Sequence, residues 1–217
     1  TINGGTNTTY AGNISGAGSL AQSGTATTTL TGANAITGLV NVNSGTLAVT
    51  GAGTLASTSL NTNALGTLST DGGALNTNAV IANTGNLILT AGGDETVDSV
   101  SGAGAISLSA GSVLTLDAGA SNISGGISGA GGLTVTGTSN TTLTGVNLYT
   151  GPTNVTGGNL NVTGTGIIVS TAVNVSGGTL TTDLNAIGTT TTVTVSGTGT
   201  FTSSGSDLFA ALNQSGG

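Results

Sequence analysis

Residues 14–50 return at 127–163 without a gap, displaced by 113 positions. Ile14-Ser15-Gly16-Ala17-Gly18 becomes Ile127-Ser128-Gly129-Ala130-Gly131. Leu20, Leu30, Gly32, Asn34, Gly45, Leu47 and Val49 become Leu133, Leu143, Gly145, Asn147, Gly158, Leu160 and Val162. A duplicated block of this kind is expected to stack similar units, each burying its apolar face on a neighbour. It argues against a single irregular globule.

A finer period lies inside the block. Short alternating segments such as Leu47-Ala48-Val49, Leu87-Ile88-Leu89, Leu114-Thr115-Leu116 and Val193-Thr194-Val195 put their apolar members on one strand face and Thr, Ser or Asn on the other. Glycines bound these segments where tight corners are needed. Leu47, Leu68, Leu87 and Ile106 follow one another at intervals of 21, 19 and 19; Leu160, Leu180 and Phe201 follow at 20 and 21. A coil of about 20 residues fits three short strands and three corners, each coil lying parallel on the last. The expected fold is all-β: a single-stranded parallel β-helix, or β-solenoid, continuous over residues 1–205. A terminal cap or truncated edge is expected over 206–217, with one or two helical turns behind Ser206 and an irregular strand both open. The interval from Ile106 to Leu133 is 27, which predicts an additional segment near 109–131, and the acid-bearing stretch 89–100 is expected to protrude. An antiparallel sandwich is the competing architecture. The near-20 phase and the scarcity of Phe and Tyr disfavour it.

Composition removes whole classes of function. Among 217 residues there is no Lys, Arg, His or Cys, and seven acids give a net charge of −7. Nucleic-acid binding lacks the cations that contact phosphates. A polybasic contact with anionic lipid is excluded for the same reason, and no apolar run approaches the length of a membrane helix. Disulfides and thiolate metal sites are absent. A flexible Gly/Ser/Thr linker would also have this composition, but it would not keep its Leu and Val in phase. The block duplication suggests a slice of a longer protein.

Residues 127–166 closely resemble the autotransporter-associated β-strand repeat. The resemblance is carried by Gly129, Gly131, Leu133, Leu143, Gly145, Asn147, Tyr149, Gly151, Val155, Gly158 and Leu160. Residues 14–51 form a more degraded copy, with Gly18 in the place of Gly131 and Ile36 in the place of Tyr149. The resemblance implies a right-handed β-helix in a bacterial passenger, exported across the outer membrane to the cell surface or the exterior. It suggests a non-catalytic scaffold or adhesin for surface attachment or cell–cell contact. The partner would be a host, bacterial or matrix surface ligand; self-association is also possible. A self-assembling filament or sheath subunit and a glycan-processing β-helix enzyme are the alternatives. This chain lacks the Lys that family members commonly carry.

Chemistry has few candidates. Ser-His-Asp and Cys-His nucleophilic sites cannot be built. Phosphate loops lack their lysine. Asp94, Glu95 and Asp98 are the candidate carboxylates for glycan hydrolysis or binding, and Tyr149 is a candidate contact residue whose bland role is corner packing. Asp71, Asp94 and Asp117 are spaced by 23 and 23, which invites a calcium site of oxygen ligands. The simpler expectation is solvated corner acids, no metal and no cofactor. Thr-rich runs such as Thr190-Thr191-Thr192 drift in register too much for an ice-binding face.

Overall fold

The computed structural model describes residues 1–215. Every strand pairing among them is parallel and joins segments about one coil apart. The chain is a β-solenoid, and the antiparallel sandwich is overturned. Each coil lays down three short strands, on a first, a second and a third face. One coil runs through Ser99–Ser101, Ala105–Leu108 and Val113–Leu116; the next runs through Ala120–Ile123, Ile127–Gly129 and Gly132–Val135.

The core follows from the alternation. On the second face Leu47, Leu68, Leu87, Ile106 and Ile127 stack in one column. On the third, Leu114, Leu133, Thr153, Val173 and Val193 do the same. All but the threonine are in the apolar core, at 0–1 % exposure. Burying each Leu or Val is worth about 1.5–3 kcal/mol, and one or two side chains per face per coil suffice to fill so narrow an interior. Most outward residues between them are Thr, Ser and Asn, several joined in ladders: Asn61 donates to Asn41 at 3.0 Å and Asn174 to Asn154 at 2.9 Å.

Corners are made by glycine. Gly45, Gly66, Gly85, Gly104, Gly125 and Gly145 lie one above another where the chain turns from the first face to the second. A Cβ on Gly145 would sit 2.3 Å from the Gly125 carbonyl oxygen, and one on Gly125 would sit 2.1 Å from that of Gly104. No other residue lets the backbones stack so closely at that edge.

Two local expectations are corrected. No additional segment lies within 109–131. Ile106 is on the second face and pairs with Ile127, whereas Leu133 is on the third and pairs with Leu114. The long interval between Ile106 and Leu133 compared positions on different faces. The stretch 89–100 does not protrude as a unit: Leu89, Glu95, Val97 and Val100 all point inward. Residues Ala211–Ser215 form a strand laid on Thr192–Ser196, so the strand, not the helical turn, occupies that segment.

The face assignment also explains the duplication. Leu20 is on the first face, but its copy Leu133 is on the third; Leu30 is on the second and Leu143 on the first. The displacement between copies is five coils plus two faces. The second copy is therefore rotated about the axis by one face relative to the first.

Candidate functional site

Several polar groups inside the solenoid repeat along with the apolar ones. Asn34 is buried on the third face. Its Oδ1 accepts from Ile14 N at 3.1 Å, one coil before; its Nδ2 donates to Thr54 O at 3.1 Å, one coil after, and to Gly32 O at 2.6 Å. Asn147 makes the same three bonds from the second face, to Ile127 N at 3.2 Å, Ile167 O at 3.1 Å and Gly145 O at 2.8 Å. One amide thus ties three coils together. Both Asn residues were visible as repeat positions; their role as pins was not.

Further pairs extend the duplication well past residue 50. Ser57 Oγ donates to Gly38 O at 2.8 Å or Ser59 O at 2.9 Å, and Ser170 Oγ to Gly151 O at 2.7 Å or Ala172 O at 2.8 Å. Asp71 Oδ2 accepts from Gly51 N at 2.6 Å, and Asp183 Oδ2 from Gly164 N at 3.0 Å. The two glycines have matching φ of 65° and 66°. Glu95 accepts from the consecutive amides of Ala74 at 3.0 Å and Leu75 at 3.3 Å; Asp207 accepts from Ala186 at 2.8 Å and Ile187 at 3.2 Å. The signal for these is Thr70-Asp71-x-x-Ala74-Leu75 against Thr182-Asp183-x-x-Ala186-Ile187, at a displacement of 112. A single-residue gap breaks the phase and hides it.

The carboxylate pairs serve segments with little regular strand. Residues 71–79 and 183–191 each hold only an isolated bridge, at Leu75 and Ile187. There a side-chain acceptor from the following coil substitutes for a backbone carbonyl. Burial pushes the Glu95 carboxyl above its ordinary value, more than the two amide bonds pull it down; the nearby Asp71 charge adds to the rise. Asp207 Oδ2 also accepts from the Thr182 and Ser203 hydroxyls at 2.6 and 2.8 Å.

The sequence candidates do not converge. Asp94 and Glu95 are neighbours on an alternating chain, so Asp94 points outward and accepts from Val113 N at 2.8 Å while Glu95 points inward. Asp98 and Asp117 make no side-chain hydrogen bond among the described residues. Asp71 and Asp94 flank the corner between the second and third faces, whereas Asp117 follows the third-face strand Val113–Leu116. Asp71 and Asp94 thus share a corner of adjacent coils, whereas the same 23-residue step from Asp94 carries Asp117 past it to the far end of the third face. No group of three or more metal-ligating side chains occurs among the described residues. Tyr149 is wholly buried, its hydroxyl 2.6 Å from Thr153 Oγ1, and burial raises its pKa. It fills the interior as Ile36 does in the earlier copy.

The arrangement is that of a structural repeat, in which most carboxylates hold backbone amides of neighbouring coils. Residues 20–49 and 133–162 each match the passenger-associated-transport-repeat model, at the displacement of the duplicated block. These matches support identifying the segment as part of an autotransporter passenger, and with it an extracellular or cell-surface location. Comparison with curated proteins and with solved structures returns no match.

Proposed function

We propose that this segment is the extended shaft of an exported adhesin, holding contact surfaces away from the cell and mediating attachment or cell–cell contact. The observation that carries the reading is the unbroken stack. First-face positions Leu20, Val40, Leu60, Ile81 and Val100 are in continuous register, and the later rungs Thr141, Leu160, Leu180 and Phe201 continue it. At about 4.8 Å per coil, the described residues reach roughly 50 Å along the axis. Repeated polar pins give such a shaft resistance to local opening. Export across the outer membrane fits the passenger repeat.

The test is display of the parent passenger on cells with and without residues 51–163. Unchanged surface level with reduced adhesion or clumping supports the shaft. Equal adhesion at equal display overturns it. Regular end-to-end fibres of the purified segment in negative stain would instead favour a filament subunit.

A further inference from the structure

Exposed apolar side chains such as Leu65, Val80 and Leu184 are scattered over the outer surface, but one patch gathers several of them on adjacent coils. Val146 pairs with Ile167 in register, and the same register sets Leu148 beside Val169. All four point outward; Val146 and Leu148 are half exposed, at 50 % and 56 %. An open depression next to them is lined by Ile167, Val169, Gly188 and Leu208, with Gly188 supplying no side chain to fill it.

The earlier copy supplies an internal control. The equivalent positions are Ala33, Thr54, Ala35 and Ala56, in the same register, Ala33 opposite Thr54. The fold therefore builds this surface from small and polar residues, and large apolar groups there are not required for stacking. The patch lies within the stack, not on an open rung: Ile127–Gly129 lies before it and Ile187 after it.

We infer that the Val146–Leu148–Ile167–Val169 patch docks a short extended peptide of a partner protein that alternates apolar and cationic side chains. Three arguments select this occupant. The backbone groups under the patch are already bonded, Leu148 N to Ile127 O and Val169 N to Asn147 O, so a partner must bind by side chains and not as an added strand. The patch has a handful of residues, against the roughly 20–30 a side of a stable protein interface, which fits a peptide and not a second copy of this chain. The chain carries seven acids and no cationic side chain; the acids nearest in sequence, Asp183 and Asp207, are held by neighbouring backbone amides, so the attraction is that of the whole chain's negative charge. The charged side chains of the chain are all acidic, and its net charge of −7 attracts Lys and Arg and repels another copy.

The inference rests on the passenger being displayed outside the cell, but its test uses the purified segment and is read separately from adhesion. A short fluorescent peptide alternating Val and Lys is titrated by anisotropy, beside one alternating Val and Glu and one alternating Ser and Lys. The Val–Lys peptide is expected to bind at least about tenfold more tightly than either. The variant Val146→Ala, Leu148→Ala, Ile167→Thr, Val169→Ala, which restores the earlier copy's residues, is expected to lose that margin with an unchanged circular dichroism spectrum. Should that variant unfold, Leu148→Lys alone is read instead, and it must also weaken the Val–Lys peptide. Equal binding of the three peptides, or undiminished binding by a folded variant, overturns the inference. So does a dimer in sedimentation that the variant abolishes, which would assign the patch to a second copy.

Discussion

Asn147 holds one backbone donor and two backbone acceptors in a dry interior, with Asn34 doing the same work one face away. An unmade bond to a buried polar group costs about 1–3 kcal/mol. Asn147→Ala strands Ile127 N–H and two carbonyls and is expected to lower stability by at least about 2 kcal/mol in urea melts. Asn147→Asp keeps the acceptor but loses both donors and is expected to be no better. The same melts on Asn34→Ala should show a similar loss, because the environment is duplicated along with the residue. Glu95 gives a pH signature. Its carboxyl is raised above the ordinary 4.5 in the folded chain, so the native state holds the proton more tightly than the unfolded one. Its contribution to stability is greatest below 4.5 and falls as pH rises through the raised value. Subtracting the pH profile of Glu95→Gln from that of the parent should expose this downward step. A difference that rises with pH would contradict the assignment.

At the scale of the strand and its corner, spacing between coils dominates. Gly158 and its counterpart Gly45 both have positive φ, 62° and 65°. A Cβ on Gly158 would stand 2.2 Å from the Ser139 carbonyl oxygen. Gly158→Ala therefore meets a left-handed backbone cost of about 1–2 kcal/mol and a backbone clash that no rotamer relieves. It is expected to destabilise by more than about 2 kcal/mol, with amide exchange rising first in the coils containing 139 and 158. The alternating strands and their glycine corners were legible in the sequence because both follow local rules, period two for the walls and no Cβ for the turns. The sparse segments 71–79 and 183–191 were not legible. Their order depends on a carboxylate one coil downstream, and no local pattern announces such a partner.

For the whole molecule, the rotation of the second copy by one face means that the three faces are near-equivalent sites for a strand. Thr50-Gly51 and Thr163-Gly164 occupy matching positions. Excising 51–163 joins Thr50 to Gly164 in a local context already present. The shortened chain is expected to fold as a continuous solenoid, with every strand after the junction moved by one face. Small-angle scattering should show it shorter by about 27 Å, at about 4.8 Å for each of the lost coils. A collapsed or molten product would show instead that each strand is tied to its own face.

By itself the sequence determined that the chain is a parallel β-solenoid with coils of about 20 residues, because alternation and glycine spacing repeat in phase. It also removed phosphate-binding and nucleophilic chemistry, because the necessary side chains are missing. Only the tertiary structure decided which positions share a face. The coil length varies by a residue from step to step, so columns drift in linear spacing while staying in register in space. Comparing positions on different faces made an insertion out of the gap between Ile106 and Leu133, and a spacing longer than one coil made a possible metal site out of Asp71, Asp94 and Asp117. The structure also decided that the duplicated block stops two faces beyond a whole number of coils, and that the buried carboxylates belong to the scaffold, because those contacts join residues far apart in the chain and close only when the coils stack.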